Sequence, residues 1–284
     1  MKRVLVAGVT GYLGGFVARE FKARGHFVRA LVRNPEKLAP LSGSIDETVK
    51  AEVTRPETIE DACDGIDVVF SSVGITRQKD GLTFGDVDYQ GNRNLLDEAL
   101  KAGVKKFIYV SVFNGPSLLH LDIVRAHEDL VQDLKASGMD YSVIRPTGYF
   151  SDTGEFLKMA QKGRVYLIGK GDNRSNPIHG ADLAKICVDA ADGRNQEIDV
   201  GGPEVLTWRE AAETAFKSLG KKARISSVPI GVMKTIITFT RIFSRQQAEL
   251  LAFFMTMMTS DMVAPASGTR TLITHFIEEA HKGQ

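Results

Sequence analysis

Apolar positions recur with two rhythms along the first half of the chain. Residues 4–7, 27–32, 48–53, 67–73, 107–112 and 141–144 form short, nearly continuous apolar runs, the pattern of parallel strands buried on both faces. Between them the apolar spacing becomes helical. Leu13, Phe16, Val17 and Phe21 mark a helix over 12–24 that Gly25 stops, and similar spacing predicts helices near 56–63, over about 88–102 before Gly103, and over 123–136 before Gly138. Strands alternating with helices across short connections predict an α/β fold, a doubly wound parallel sheet whose strand-end loops gather along one ligand-binding edge. After Pro146 the rhythm changes. A helix is predicted over 151–162, a strand and turn over 164–171, a helix over 182–191 with Asp182 as N-cap, and a strand over 197–200. A helix over 207–219 and apolar helices broken by charges over 228–259 complete the pattern.

Composition narrows the classes without choosing among them. The 284 residues, 43% of them hydrophobic, suffice for a large core. With 36 Lys and Arg against 35 Asp and Glu, the chain lacks the basic excess expected of a nucleic-acid binder. Cys63 and Cys187 match no metal-ligand spacing and read as small buried helix residues suited to a reducing cytosol. Met1-Lys2-Arg3 runs straight into the first apolar strand, so no leader is expected, and no apolar run is long enough to span a bilayer. These features imply a cytoplasmic protein.

The chemistry begins at Gly8-Val9-Thr10-Gly11-Tyr12-Leu13-Gly14, which follows the first strand and opens the first helix. In that context three glycines have a mechanism: Gly8 turns the chain, Gly11 lets backbone approach a pyrophosphate, and Gly14 lets the helix pack on the sheet. The helix N-terminus then supplies N–H groups and a favourable dipole. Sites for NAD place an acidic residue at the end of the second strand, but here the strand runs into Arg33 and Asn34, with Lys37 a turn later. A guanidinium there suits a ribose 2′-phosphate, so the expected cofactor is NADP(H). Residues 1–150 thus read as an NADP-binding domain to which 175–200 returns, with 151–174 and 201–284 as a smaller, mainly helical substrate cap.

The glycine motif, Ala30-Leu31-Val32-Arg33-Asn34-Pro35, Asn92-Arg93-Asn94-Leu95-Leu96, the stretch from Gly103 to Ser111 and that from Ser137 to Gly148 together resemble the atypical short-chain dehydrogenase/reductases. That superfamily includes NmrA-like NADP sensors, isoflavone reductases and divinyl chlorophyllide reductases. The resemblance implies that Ser72, Val73 and Gly74 pass along the cofactor ribose, that Pro146, Thr147 and Gly148 lie near the nicotinamide, and that Glu52 stands near the adenine. Typical members carry a Tyr and, four residues on, a Lys in the helix after the fifth strand. This chain departs from that pattern, with Ile123 and His127 at the two places and Val112 where a Ser or Thr is expected. His127 and Ser111 remain as catalytic candidates. Against them stands the reading of His127 as a polar helix residue with no role in catalysis. Phe113, His120, Tyr149 and Phe150 are candidates to face a substrate, whereas His179 reads as a turn-supporting residue.

Three functions follow: an NADP(H)-dependent reductase or isomerase of a small apolar or aromatic molecule, a regulator or scaffold that senses NADP(H) without turnover, and an accessory protein of a membrane complex. The last rests on the apolar region 228–263, which charges such as Arg241, Arg245 and Glu249 interrupt. That region reads as core packing, as a lid with Phe253, Phe254, Met257 and Met258 facing the nicotinamide pocket, or as a peripheral membrane or partner contact. A monomer or a homodimer is expected, with a small molecule as partner.

Overall fold

In the computed structural model, residues 1–75 and 81–282 are described. The chain opens with β1 (Arg3–Ala7), α1 (Tyr12–Ala23), β2 (Phe27–Val32), β3 (Glu47–Lys50) and β4 (Val68–Ser71). It continues through α2 (Asn92–Lys101), β5 (Lys106–Val110), α3 (Asp122–Ala136) and β6 (Asp140–Pro146). Then follow α4 (Phe150–Gln161), β7 (Val165–Ile168), β8 (Arg174–Ser175), α5 (Gly180–Asp189) and β9 (Gln196–Val200). Last come β10 (Leu206–Thr207), α6 (Trp208–Ser218), β11 (Ile225–Val228), α7 (Ile230–Phe243), α8 (Arg245–Thr259) and α9 (Leu272–Lys282).

Seven strands form one sheet in the order β3-β2-β1-β4-β5-β6-β9, and the pairings from β3 through to β6 are parallel. The order reverses between β1 and β4, so the loops leaving those strands diverge and open a crevice at their C-terminal ends. Every residue of β4 and β5 is buried, as strands covered on both faces must be. On one face Leu95, Leu96 and Ala99 of α2 and Leu130, Val131 and Leu134 of α3 pack on Leu5, Val69 and Phe107.

Two compact units divide the chain: Met1–Arg145 with Leu183–Ile198, and Pro146–Asp182 with Asp199–Gln284. The second has its own core, in which Phe150, Phe156 and Leu157 of α4 meet Val165 and Leu167 of β7, Ala212 and Phe216 of α6, and Leu272 and Phe276 of α9. Two small sheets, parallel β7-β11 and antiparallel β8-β10, complete it.

Several local expectations need correction. The segment at 56–63 forms only a 3-10 turn, Pro56–Thr58, followed by turns. Cys63 therefore lies in a turn rather than a helix, fully buried, and burial pushes its thiol up to about 12. The helix expected over 88–102 begins as a π-helical stretch, Gly85–Gly91, before α2. Asp182 is not an N-cap, because α5 starts at Gly180 and the Asp182 carboxylate instead accepts from the backbone N–H groups of Thr269 and Arg270, 3.0 Å each. This charge-assisted tie to a segment 87 residues away gives a buried carboxylate the partners it needs.

In the second unit His179 and His275 are both buried, their rings 5.5 Å apart beside Phe150. Burial, then the positive charge of Arg270, holds His179 down to about 4. The unfolded chain therefore binds a proton near pH 6.5 that the folded chain refuses until about pH 4, and stability should fall as pH drops through that window. The expected loss from His179 is about 3 kcal/mol at the acid end. Urea unfolding at stepped pH checks this against His179→Asn, whose Oδ1 can replace Nδ1 as acceptor of the Ala181 N–H. The variant's stability should depend less steeply on pH across the window, and an identical slope would refute the assignment.

Candidate functional site

The site grows from the end of β1. Gly8 holds φ at +81°, a left-handed conformation that a side chain would strain, and the chain turns there into α1. The Gly11 N–H closes the turn on the Gly8 carbonyl at 2.9 Å. Gly11 is the N-cap of α1 and brings no side chain to it, and no acidic residue occupies the first turn. The positive end of the helix dipole is thus left to an external anion. A Cβ on Gly8 would sit 2.8 Å from Ser72 Oγ, and one on Gly14 would overlap the Gly8 carbonyl oxygen. The loop is bare backbone where a dinucleotide pyrophosphate must approach, and these residues fit that group.

Around the turn lies a cleft of about 240 Å³ within the first unit. It is lined by Gly8, Thr10 and Gly11 after β1, by Arg33 after β2, by Glu52 after β3, and by Ser72, Val73 and Gly74 after β4. Eight of the sixteen residues expected to touch cofactor therefore share one cavity wall. Tyr12, Leu13 and Gly14 form the first turn of α1 behind it. Arg33 presents an exposed guanidinium with Nη1 3.6 Å from Glu52 Oε1, and Arg55 Nε lies 3.8 Å from Glu52 Oε2. Glu52 thus lies within ion-pair distance of two exposed arginines, of which Arg33 lines the cleft. Asn34 caps the 3-10 stretch Pro35–Ser44 by accepting from the Glu36 N–H, and Lys37 lies exposed within that stretch.

His127 stands beside the cleft wall: a Cβ on Gly74 would lie 2.7 Å from Asp88 Oδ1 and 3.9 Å from His127 Cε1. Both of its ring nitrogens are engaged. Nε2 lies 3.3 Å from the buried Asp88 carboxylate, and Nδ1 is 2.6 Å from the hydroxyl of buried Tyr109. The Ile75 N–H donates to Asp88 at 3.1 Å, tying the post-β4 loop into the same network. Ser111 is buried and donates to Glu128 Oε1 at 2.8 Å. Arg145 bonds both oxygens of Glu128 and reaches Glu197 at 2.9 Å. Burial works against the Arg145 charge, but the Glu128 and Glu197 carboxylates together outweigh it and raise the guanidinium above its usual value. Asp88, Tyr109, Glu128 and Arg145 are not singled out by the sequence, since a polar residue whose partners are distant along the chain leaves no local mark of them.

The remaining candidates are dispersed. Phe113 is half-buried and His120 exposed in the segment after β5. In the second unit, the Thr147 hydroxyl donates to the Asn176 carbonyl at 2.7 Å, flanked by Pro146 and by Gly148. Tyr149 is half-buried, whereas Phe150 is a core residue of that unit. On α8, Phe253 and Phe254 meet edge to face, Met257 is half-buried, and Met258 packs on the second unit's core.

A model of the NAD(P)H-binding family matches residues 8–194. The photosystem II assembly factor Ycf39 of Synechocystis is 30% identical over 252 residues, 85% of this chain and 75% of that protein. The divinyl chlorophyllide a 8-vinyl-reductase of Arabidopsis thaliana is 31% identical over 260 residues, covering 82% of this chain but only 61% of the relative. Among solved structures, the triphenylmethane reductase of Citrobacter sp. matches with a TM-score of 0.78 at 18% identity, over 99% of this chain and all of that one. The NADPH-dependent quinone oxidoreductase QOR2 of Escherichia coli, complexed with NADPH, matches with a TM-score of 0.77 at 18% identity over the full length of both chains. At that identity the two structures speak for the fold.

Gly14→Ala tests the geometry of the turn. The added methyl must push α1 away from the Gly8 carbonyl, so stability should fall by about 2 kcal/mol or more in urea unfolding. NADPH affinity should drop in parallel, and a variant with unchanged affinity would contradict the close approach.

Proposed function

The chain belongs to the NAD(P)H-binding family, among the atypical short-chain dehydrogenase/reductases, and we propose that within it the protein is an NADP(H)-dependent reductase or isomerase of a small apolar or aromatic molecule. The observation that carries this reading is the exposed Arg33 guanidinium in the same cleft as the bare Gly8–Gly11 turn, where an NAD site would offer a carboxylate. The α1 N-terminus would hold the pyrophosphate, Arg33 the 2′-phosphate, and Ser72, Val73 and Gly74 the ribose edge. When bound, the cofactor supplies a hydride.

Neither His127 nor Ser111 can give up a proton without breaking a buried hydrogen bond. We therefore assign His127 to shaping the cleft end beside Gly74, and take the accompanying proton from solvent. Quinone- and enone-like acceptors suit such a site, and the names of QOR2 and of the vinyl reductase support that class. The same engagement of His127 and Ser111 favours a second reading, a protein that senses NADP(H) or serves as an assembly scaffold without turnover, in line with the name of Ycf39. A cytoplasmic location belongs to the first reading. Among the described residues, no helix is long and apolar enough to cross a membrane.

Following NADPH consumption by absorbance across a panel of quinones and enones distinguishes the two. Steady turnover with at least one acceptor supports the reductase; tight NADPH binding without consumption of any acceptor supports the sensor. NADPH should bind at least ~10-fold more tightly than NADH, since a charge-assisted contact contributes about 1.5–3 kcal/mol. Arg33→Glu should erase or invert that preference in calorimetric titration, and equal affinities in the wild type would remove the argument. His127→Gln should leave turnover within about tenfold, whereas a loss of ~10²-fold or more would restore the imidazole as the direct acid.

A further inference from the structure

The end of β3 leads into a turn whose backbone is closely tied. The Arg55 N–H donates to the Glu52 carbonyl at 2.8 Å, and the Glu52 N–H donates to the Thr58 hydroxyl at 2.9 Å. That hydroxyl in turn lies 2.8 Å from the Arg55 carbonyl. Pro56 follows and disfavours helical backbone before it, and Arg55 is extended, with φ −123° and ψ 90°. The backbones of Glu52 and Arg55 are therefore held in one fixed relation, in a turn that borders the cleft through Glu52, Val53 and Thr54.

The side chains of this turn meet the one that leaves β2. Glu52 Oε1 lies 3.6 Å from Arg33 Nη1 and Glu52 Oε2 lies 3.8 Å from Arg55 Nε, so a single carboxylate stands between two guanidiniums. Glu52 is the most sheltered of the three, its side chain 26% exposed against 58% for Arg33 and 68% for Arg55. Both guanidiniums stay largely open to solvent and to a ligand.

Charge decides what such a trio can hold. Like other phosphate monoesters, a ribose 2′-phosphate carries about two negative charges and three acceptor oxygens at neutral pH. Arg33 beside Glu52 makes a pair with no net charge, which offers a dianion little attraction. Arg55 on the same carboxylate restores a net positive charge and adds a second planar fork of donors. Such forks match phosphate oxygens pairwise, and two of them can share three oxygens.

We propose that Arg55 is a second ligand of the cofactor's 2′-phosphate, acting with Arg33, and that Glu52 holds the two guanidiniums at the rim until the phosphate arrives. Given the NADP(H) reading of the cleft, on which this role rests, Arg55 is a determinant of NADP(H) over NAD(H).

Calorimetric titration of the full chain with NADPH and with NADH tests the role. Arg55→Gln should weaken NADPH binding about fivefold or more, the scale of an exposed charge contact, and leave NADH binding within about twofold. Arg55→Lys keeps the charge but not the fork, so it should lose less NADPH affinity than the Gln variant. Both variants should fold as the wild type does, because residue 55 ties the turn through its backbone atoms. A wild type that prefers NADPH beside an Arg55→Gln variant with undiminished NADPH affinity would overturn the role and leave Arg33 as the ligand. Equal losses for NADPH and NADH would overturn it too, because a residue that only shapes the turn or meets the adenine affects both nucleotides. A Lys variant as weak as the Gln variant would likewise overturn it. Equal wild-type affinities for the two nucleotides would remove the NADP(H) reading itself, and the role of Arg55 with it.

Discussion

The close approach of α1 to the end of β1 is the constraint on which the rest depends. A helix can aim its unpaired N–H groups at an anion only if nothing stands between its first turn and the sheet. Gly8, Gly11 and Gly14 remove the side chains from that space, and the left-handed turn at Gly8 redirects the chain within it. Once α1 is seated, the parallel order β3-β2-β1-β4 brings the loops after β2, β3 and β4 round the same turn. Arg33, Glu52 and Gly74 then share a wall although they are dispersed along the chain.

Two buried polar networks support this edge. Asp88 ties the post-β4 loop, through Ile75, to His127 and Tyr109, while Glu128 and Arg145 lock Ser111 between β5, α3 and β6. Buried charges persist only where partners meet them, and removing one partner strands the other in low dielectric. The hydrogen bonds that hold His127 and Ser111 in place also occupy the groups that a catalytic acid would need free. Rigidity and proton donation compete for the same atoms, and here the geometry favours rigidity.

Sequence patterning revealed this frame unevenly. The strands and the glycine turn were legible because fully buried parallel strands and a bare phosphate loop leave local signatures, and Arg33 stood out because an acid was missing there. The helix expected at 56–63 failed because Pro56 opens only a single 3-10 turn and the chain leaves the right-handed region at Asp61, whose φ is +58°, in the turn that buries Cys63. Asp182 resembled a cap in sequence, but its partners, Thr269 and Arg270, lie 87 and 88 residues away. Asp88 and Tyr109 went unseen for the same reason, since their meaning resides in a contact with His127 that only the folded sheet creates. The apolar run at 228–243 announced a helix, yet its spacing did not say that the apolar stripe would face outward.

The central claim is that the bare turn after β1 and the guanidinium after β2 form one NADP(H) site. An amide NMR titration of the intact chain with NADPH tests it most directly. The account predicts that the largest shifts fall on Gly11 to Gly14 and on Val32 to Arg33, and that NADH shifts the first group while leaving the second nearly unmoved. Largest shifts elsewhere in the chain, or identical responses at Arg33 to both nucleotides, would contradict it.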